Sequence, residues 1–117
     1  MAKIGFLLTT GPWQFQNWET AANVADAALD KGHEVTFFLY LDGVYNPIKL
    51  QALRGYEVMP KDRFSSLLSR GAKIFACVIC INARGLADGR DFIDGVKVGP
   101  LNLFADMIGD MDRLIQL

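Results

Sequence analysis

Cys77-Val78-Ile79-Cys80 is the stretch whose residue types and spacing most directly suggest chemistry. It closes an apolar run, Ile74 to Ile81, at a point where the pattern predicts a buried strand turning into a helix. Backbone N–H groups at a helix start favour a thiolate over a thiol, and Arg84 is close enough in sequence to add positive charge. A lowered pKa makes sulfur both a nucleophile and a good leaving group. Two chemistries fit. In one, both thiols cycle through an intramolecular disulfide. In the other, one thiolate takes a sulfane sulfur, holds it as a persulfide and passes the outer sulfur to another thiol. The competing structural role is plain packing, since free cysteine is a common core residue. A spaced pair at a strand's carboxyl end favours function over packing.

Other candidates are weaker. His33 is the only histidine, and Gly32-His33-Glu34 reads as a helix-to-strand connection at the opposite edge of the sheet, so a Cys-His dyad is not expected. Ser65, Ser66 and Ser69 share one short helix without a nucleophile elbow. Thr9-Thr10-Gly11-Pro12 follows the first strand, where mononucleotide folds bind phosphate, but it lacks the G-x-G-x-x-G fingerprint and the Walker Lys. A tight turn beside the site is the better reading, and no cofactor is expected. Asp88, Asp91 and Asp94 lack EF-hand spacing and read as a solvated acidic loop. One Cys-x-x-Cys and one histidine are too few for a four-ligand zinc site within the chain, so no metal is expected. Trp13 and Phe15 precede the first helix and suit either a cleft or a subunit interface.

The elements that must position these residues alternate between short apolar runs and helical segments. Strands are predicted at Ile4–Thr9, Val35–Leu41, Ala72–Val78, Val96–Val98 and Arg113–Leu117. Helices are predicted at Trp18–Lys31 behind an Asn17 N-cap, at Asp62–Arg70, and from Pro100 at N1 through Asp110. Asp42–Pro47 reads as a loop, Ile48–Met59 as short helix or irregular chain, and Cys80–Gly89 as a helical turn or loop. The fold class is α/β: a flavodoxin-like, doubly wound, mostly parallel five-stranded sheet forming a single domain over residues 1–117. Ligands in such sheets sit outside the carboxyl ends of the strands. Thr9-Thr10-Gly11, Asp42-Gly43, the Cys77 region and Val98-Gly99 lie there; His33 does not.

Composition sets further limits. The 117 residues are 51% hydrophobic and 21% charged, a globular profile that excludes intrinsic disorder. Twelve basic against thirteen acidic residues leave a net charge of −1, without the basic surplus a nucleic-acid binder uses to neutralise phosphates. The apolar run Ile74–Ile81 is far too short for a membrane span, and the N-terminus lacks a signal peptide's apolar core. A cytoplasmic protein is therefore expected, with both cysteines as thiols. So apolar a domain with so little net charge is suited to hiding surface in an oligomer.

Taken together, Thr10-Gly11-Pro12, Asp42-Gly43-Val44-Tyr45, Cys77 followed by Ala83-Arg84-Gly85-Leu86, and Ile93-Asp94-Gly95-Val96 resemble the DsrE/DsrF-like family essentially end to end. The cysteine-to-Arg-Gly spacing is the most specific part. The resemblance implies a flavodoxin-like fold, homo-oligomers (trimers or hexamers), and a sulfurtransferase-like carrier that exchanges sulfur with donor and acceptor proteins. Cys77 matches the family's sulfur-carrying cysteine, with Cys80 and Arg84 beside it and Thr10, Gly11, Gly43, Tyr45 and Gly85 around a substrate pocket. Cys80 departs from the TusD-like sulfur-relay pattern, where a small apolar residue stands, and the Cys-x-x-Cys form is closer to the YchN-type branch. A dithiol-disulfide oxidoreductase and a non-catalytic oligomeric module therefore stay open as alternatives. If the pathway ends at tRNA, sulfur passes to a protein and not to nucleic acid directly.

Overall fold

The computed structural model describes residues 1–55, 57–87 and 89–117; Tyr56, in the ambiguous 48–59 stretch, and Asp88, in the acidic series, lie outside the described residues. Five strands, β1 (Lys3–Leu8), β2 (Glu34–Leu39), β3 (Lys73–Cys77), β4 (Lys97–Gly99) and β5 (Arg113–Gln116), form one sheet in the order β4-β3-β2-β1-β5. Every pairing in it is parallel. The chain steps outward from β1 to β4 and then returns to the far side of β1, so the winding reverses beside that strand. This is the doubly wound α/β fold expected of the sequence.

Helices α1 (Asn17–Asp30), α2 (Pro60–Ser69), α3 (Val78–Ala83) and α4 (Leu101–Asp110) complete the fold. Alternation along the strands divides the core into two layers. Phe6 of β1 stacks on Phe37 of β2 with ring centroids 4.7 Å apart, and Phe64 of α2 meets Phe37 edge-on at 5.3 Å. The small residues Ala21, Ala22, Ala25 and Ala28 let α1 approach its neighbours closely. On the other face Phe38 packs against Phe104 of α4 at 5.1 Å. Gly5 leaves room there, since a Cβ would sit 3.0 Å from Met111 Cγ and 3.2 Å from Met107 Cε. Val35 to Leu39 are all buried, as a central strand covered on both faces requires.

Local differences from the sequence reading have simple causes. Gln16 is the N-cap of α1 and makes no side-chain cap bond, so Asn17 is already the first helical residue. Pro60 occupies the first turn of α2, and Asp62 Oδ2 accepts the N–H of Met59 at 2.9 Å, starting that helix two residues early. Pro100 is the N-cap of α4 with extended backbone, and the helix proper begins at Leu101. The segment after β2, expected to be a loop, winds into a 3₁₀ helix over Leu41–Tyr45. Strands β2 and β3 each stop before the predicted end, β2 at Leu39 and β3 at Cys77, because the chain turns into helix there. Among the described residues, no helix is long and apolar enough to cross a membrane.

Candidate functional site

The carboxyl edge of the sheet brings together the end of β1, the Leu41–Tyr45 turn and the β3–α3 junction. Cys77 is the last residue of β3 and the N-cap of α3, with φ −68° and ψ 122°. Cys80 follows on the first turn. Both thiols are unpaired by disulfide and both are buried, at 1% and 5% exposure.

Cys80 has the more elaborate surroundings. Its Sγ accepts the backbone N–H of Leu41 at 3.1 Å, and Cys77 is near enough to act on its titration. Leu41 is the only non-glycine residue with positive φ among those described, at 52°. L-residues enter this left-handed region at a cost of about 1 kcal/mol or more. The strain sits at the one residue whose N–H reaches the sulfur. Arg84, the C-cap of α3, donates from Nη1 to the Cys80 carbonyl at 3.2 Å and from Nε to Asp42 Oδ1 at 2.8 Å. One side chain thus ties the cysteine helix to the turn. Burial pushes the Cys80 thiol up; the Leu41 N–H and Arg84 pull it down, while neighbouring Cys77 pushes it up again. For Cys80, loss of water therefore outweighs the positive charge of Arg84.

The polar side of the site is built by β1 and the turn. Gly43 presses on the end of β1 so closely that a Cβ would lie 1.9 Å from the Leu8 carbonyl oxygen. Asn46 is fully buried and donates from Nδ2 to the carbonyls of Thr10 and Gly43, both at 2.9 Å. It fastens the β1–α1 loop to the turn. Buried without a partner in this region are Thr10 Oγ1, Asn46 Oδ1 and Gln51 Oε1. Beside them opens a cavity of about 300 Å³, lined by Gly11, Pro12, Trp13, Gln14, Asp42, Tyr45 and Gln51.

The structure therefore brings Cys77, Cys80 and Arg84 together, and it puts Gly11 and Tyr45 in the cavity wall. Thr10 and Gly43 lie behind that wall as scaffold. Gly85 is not among the lining residues; with φ +70° it ends α3 in a conformation that favours glycine. Asp42, Gln51, Leu41 and Asn46 complete the region without being among the site residues read from sequence, whereas Trp13, read there as suited to a cleft or an interface, stands in the cavity wall. Asp42 stands in a quoted motif, but nothing about Gln51, Asn46 or a backbone N–H signals a role in advance. His33 lies at the opposite edge, where Nδ1 accepts the N–H of Ala2 at 2.9 Å. Asp91 Oδ2 accepts the Ala87 N–H at 2.8 Å, which gives that member of the acidic series a loop-closing role.

A doubly wound domain with a thiol pair at the carboxyl edge of its sheet is the class defined so far. Residues 2–117 match the DsrE/DsrF-like family, and the chain belongs to it. An uncharacterized protein of Methanopyrus kandleri, MK0008, is 30% identical over 114 residues, covering 96% of this chain and 91% of that one. A candidate sulfurtransferase of Allochromatium vinosum, DsrE, is 32% identical over 88 residues, covering 74% and 68%. Among solved structures, the ychN protein of E. coli superposes over the full length of both chains with a TM-score of 0.91 at 21% identity. A protein of unknown function from Methanobacterium thermoautotrophicum, MTH1491, does so with a TM-score of 0.74 at 16% identity.

Proposed function

We propose that the protein is a sulfur carrier in which Cys77 accepts a sulfane sulfur as a persulfide and delivers it to a partner thiol. The observation that carries this reading is the placement of the two thiols, with Cys77 at the β3–α3 junction and Cys80 on the first turn of α3, where the Leu41 N–H fixes its sulfur. Family membership and the name of the Allochromatium relative point to the same class.

In the loading step the Cys77 thiolate attacks the outer sulfur of a hydropersulfide R–S–SH. A new S–S bond forms at Cys77, the old S–S bond breaks, and R–S⁻ leaves; no net oxidation occurs. In delivery an acceptor thiolate attacks the outer sulfur of the Cys77 persulfide, and Cys77 leaves as a thiolate. The backbone N–H groups at the start of α3, which Cys77 precedes as N-cap, favour that leaving thiolate. Cys80 also sets a limit. If it attacks the inner sulfur of the Cys77 persulfide, a Cys77–Cys80 disulfide forms and H₂S is released, ending the relay. The Leu41 N–H holds the Cys80 sulfur through one of its lone pairs and so restrains this attack.

The proximity of the two thiols also favours a second reading, a dithiol-disulfide oxidoreductase. Donor and acceptor are proteins in the relay reading, and the reducing cytoplasm is the compartment in which both thiols persist. Homo-oligomerisation, as a trimer or hexamer, is supported by Leu101 and Ile108 on α4 and Leu114 on β5, all more than 40% exposed.

Intact-mass measurement after incubation with inorganic polysulfide tests the proposal on wild type, Cys77→Ser and Cys80→Ser. A labile gain of one sulfur that needs Cys77 and survives Cys80→Ser is the expected result. Loss of two protons in wild type, with no sulfur gained by Cys80→Ser, assigns the oxidoreductase instead. No mass change in any of the three leaves neither chemistry standing.

A further inference from the structure

The Leu41–Tyr45 turn is held by two kinds of contact. On its β1 side the bonds join backbone atoms: Tyr40 donates its N–H to the Leu8 carbonyl at 3.0 Å, and Gly43 donates its own to the Tyr40 carbonyl at 2.8 Å. On its α3 side the first N–H of the turn, that of Leu41, ends on a sulfur, Cys80 Sγ, at 3.1 Å. A carbonyl oxygen is the same acceptor whatever the redox state of the protein, and a cysteine sulfur is not. Leu41 also holds φ 52°, in the left-handed region that a leucine enters only when its surroundings impose it. The contact that depends on sulfur chemistry thus falls on the strained residue.

Cys80 can be drawn away from that N–H. Cys77 is the N-cap of α3 and Cys80 its third residue, positions whose side chains reach across the same first turn in a capping box. A disulfide brings its two Cβ atoms to about 3.5–4.5 Å with a bond between the sulfurs. Closing one therefore pulls Cys80 Sγ towards Cys77 and leaves the Leu41 N–H without its acceptor. A persulfide on Cys77, by contrast, leaves Cys80 untouched. The disulfide forms when the Cys80 thiolate attacks the inner sulfur of that persulfide. A Cys77–Cys80 bond forms, the bond to the outer sulfur breaks, and the outer sulfur leaves as HS⁻. Oxidation of the thiol pair by two electrons is balanced by reduction of the sulfane sulfur to sulfide.

We propose that the Leu41–Tyr45 turn is a redox latch, engaged on Cys80 in the thiol and persulfide forms and released at Leu41 when Cys77 and Cys80 join as a disulfide. The proposal rests on the sulfur-carrier reading for its oxidant and adds a regulation of the same site. Release is local, because the Tyr40 and Gly43 bonds and the close approach of Gly43 to Leu8 remain. Leu41 relaxes out of φ 52°, and its side chain, 45% exposed, moves at the surface. Asp42 follows it directly and carries the change to Arg84 through the Nε–Oδ1 pair. A spent carrier, its sulfur lost as sulfide, thereby shows a different surface from a loaded or an empty one.

Amide hydrogen exchange at Leu41, followed by NMR in the full chain, tests the latch. Three samples are compared: reduced wild type, reduced Cys80→Ala, and wild type oxidised by diamide, an azo reagent that takes up two electrons and two protons as the disulfide forms. Loss of one hydrogen bond of ordinary strength is worth about fivefold in local opening. The Leu41 N–H is expected to exchange at least about fivefold faster in the oxidised protein and in Cys80→Ala, with the Phe37 and Phe38 amides unchanged. Equal exchange at Leu41 in reduced and oxidised protein overturns the proposal. So does a Cys80→Ala variant as slow as wild type, an acceleration that extends to β2, or failure of diamide to form an intramolecular disulfide. None of these samples contains sulfane sulfur, so the carrier reading is judged separately, by sulfur gain on Cys77 from polysulfide. Gain without a response at Leu41 removes the latch and keeps the carrier. A response without gain upholds the latch as a thiol–disulfide device and removes the carrier.

Discussion

Strands β1 and β3 deliver their carboxyl ends to the same edge of the sheet, yet they end in opposite ways. β3 runs straight into a helix and buries both of its sulfurs, with Cys77 at 1% exposure and Cys80 at 5%. β1 runs into a glycine- and proline-bearing loop beside an open cavity, with buried polar atoms left unpaired. The sulfur side is buried, with Cys80 held by a backbone N–H; the polar side borders a cavity and keeps buried polar atoms without partners. Reactivity and recognition are thus divided between two strand ends. The Leu41–Tyr45 turn joins them, because its first N–H touches Cys80 and its Gly43 touches β1.

The strongest way to break this division is to push the turn off β1. Gly43→Ala places a methyl group 1.9 Å from the Leu8 carbonyl oxygen, a backbone atom held in the sheet. Overpacking against backbone costs about 3 kcal/mol, and the midpoint of thermal unfolding is expected to fall by about 10 °C. The same displacement withdraws Leu41 from Cys80, so the two cysteines are expected to react faster with a thiol-alkylating reagent. A variant as stable as wild type would mean that the contact with β1 does not hold the turn.

Asn46→Leu cuts the fastening and leaves the glycine alone. It keeps the branched shape, with bulkier methyl groups, but removes both Nδ2 bonds, leaving the Thr10 and Gly43 carbonyls without that donor. Removing the unpartnered Oδ1 at the same time offsets part of the loss. A net cost of about 2 kcal/mol is expected, measured by urea unfolding. Cavity-dependent properties should suffer more than the titration of the thiols, because the loop at Thr10 is released while the backbone at Leu41 remains.

The sulfur side can be probed through pH. Burial raises the Cys80 thiol above its ordinary range. Between the unfolded and folded values the native state binds more protons than the unfolded chain. The resulting stability is therefore present in full below about pH 8.5, the unfolded value, and is lost as pH rises through the raised one. Wild type should accordingly lose stability faster than Cys80→Ala over that alkaline range, with parallel curves below it. A wild-type curve that stays parallel throughout would mean that Cys80 is as well solvated as a free thiol.

How legible this arrangement is in the sequence differs between the two ends. The sheet, its helices and the Cys77–Cys80–Arg84 cluster follow from local signals: apolar runs, helical spacing and a motif contained in eight residues. The polar side is assembled from parts far apart. Leu41 meets Cys80 across 39 positions, and Asn46 reaches Thr10 across 36. The Leu41 donor is a main-chain N–H, which every residue except proline carries, so no residue type announces it. Gln51 lies in a segment without periodicity, and only the folded chain shows that its Oε1 faces no donor. The helix starts after Gln16 and Pro100 differ by one residue from the sequence pattern because side-chain preferences compete there with backbone geometry.

The smallest expected effect tests whether the link between the ends resides in the backbone. Leu41→Gly keeps the N–H that reaches Cys80 and removes the penalty for φ 52°. Against this, glycine costs about 0.5–1 kcal/mol in unfolded-state entropy, and a half-exposed leucine side chain loses its partial burial. These contributions oppose one another, so net stability is expected to stay within about 1 kcal/mol of wild type. Because the donor is unchanged, the alkylation pH profile of the thiols should overlay that of wild type. If the profile moves while stability does not, it is the stiffness of the left-handed leucine, and not merely its N–H, that holds the sulfur in place. The turn would then link the two strand ends through its rigidity as well as its hydrogen bond.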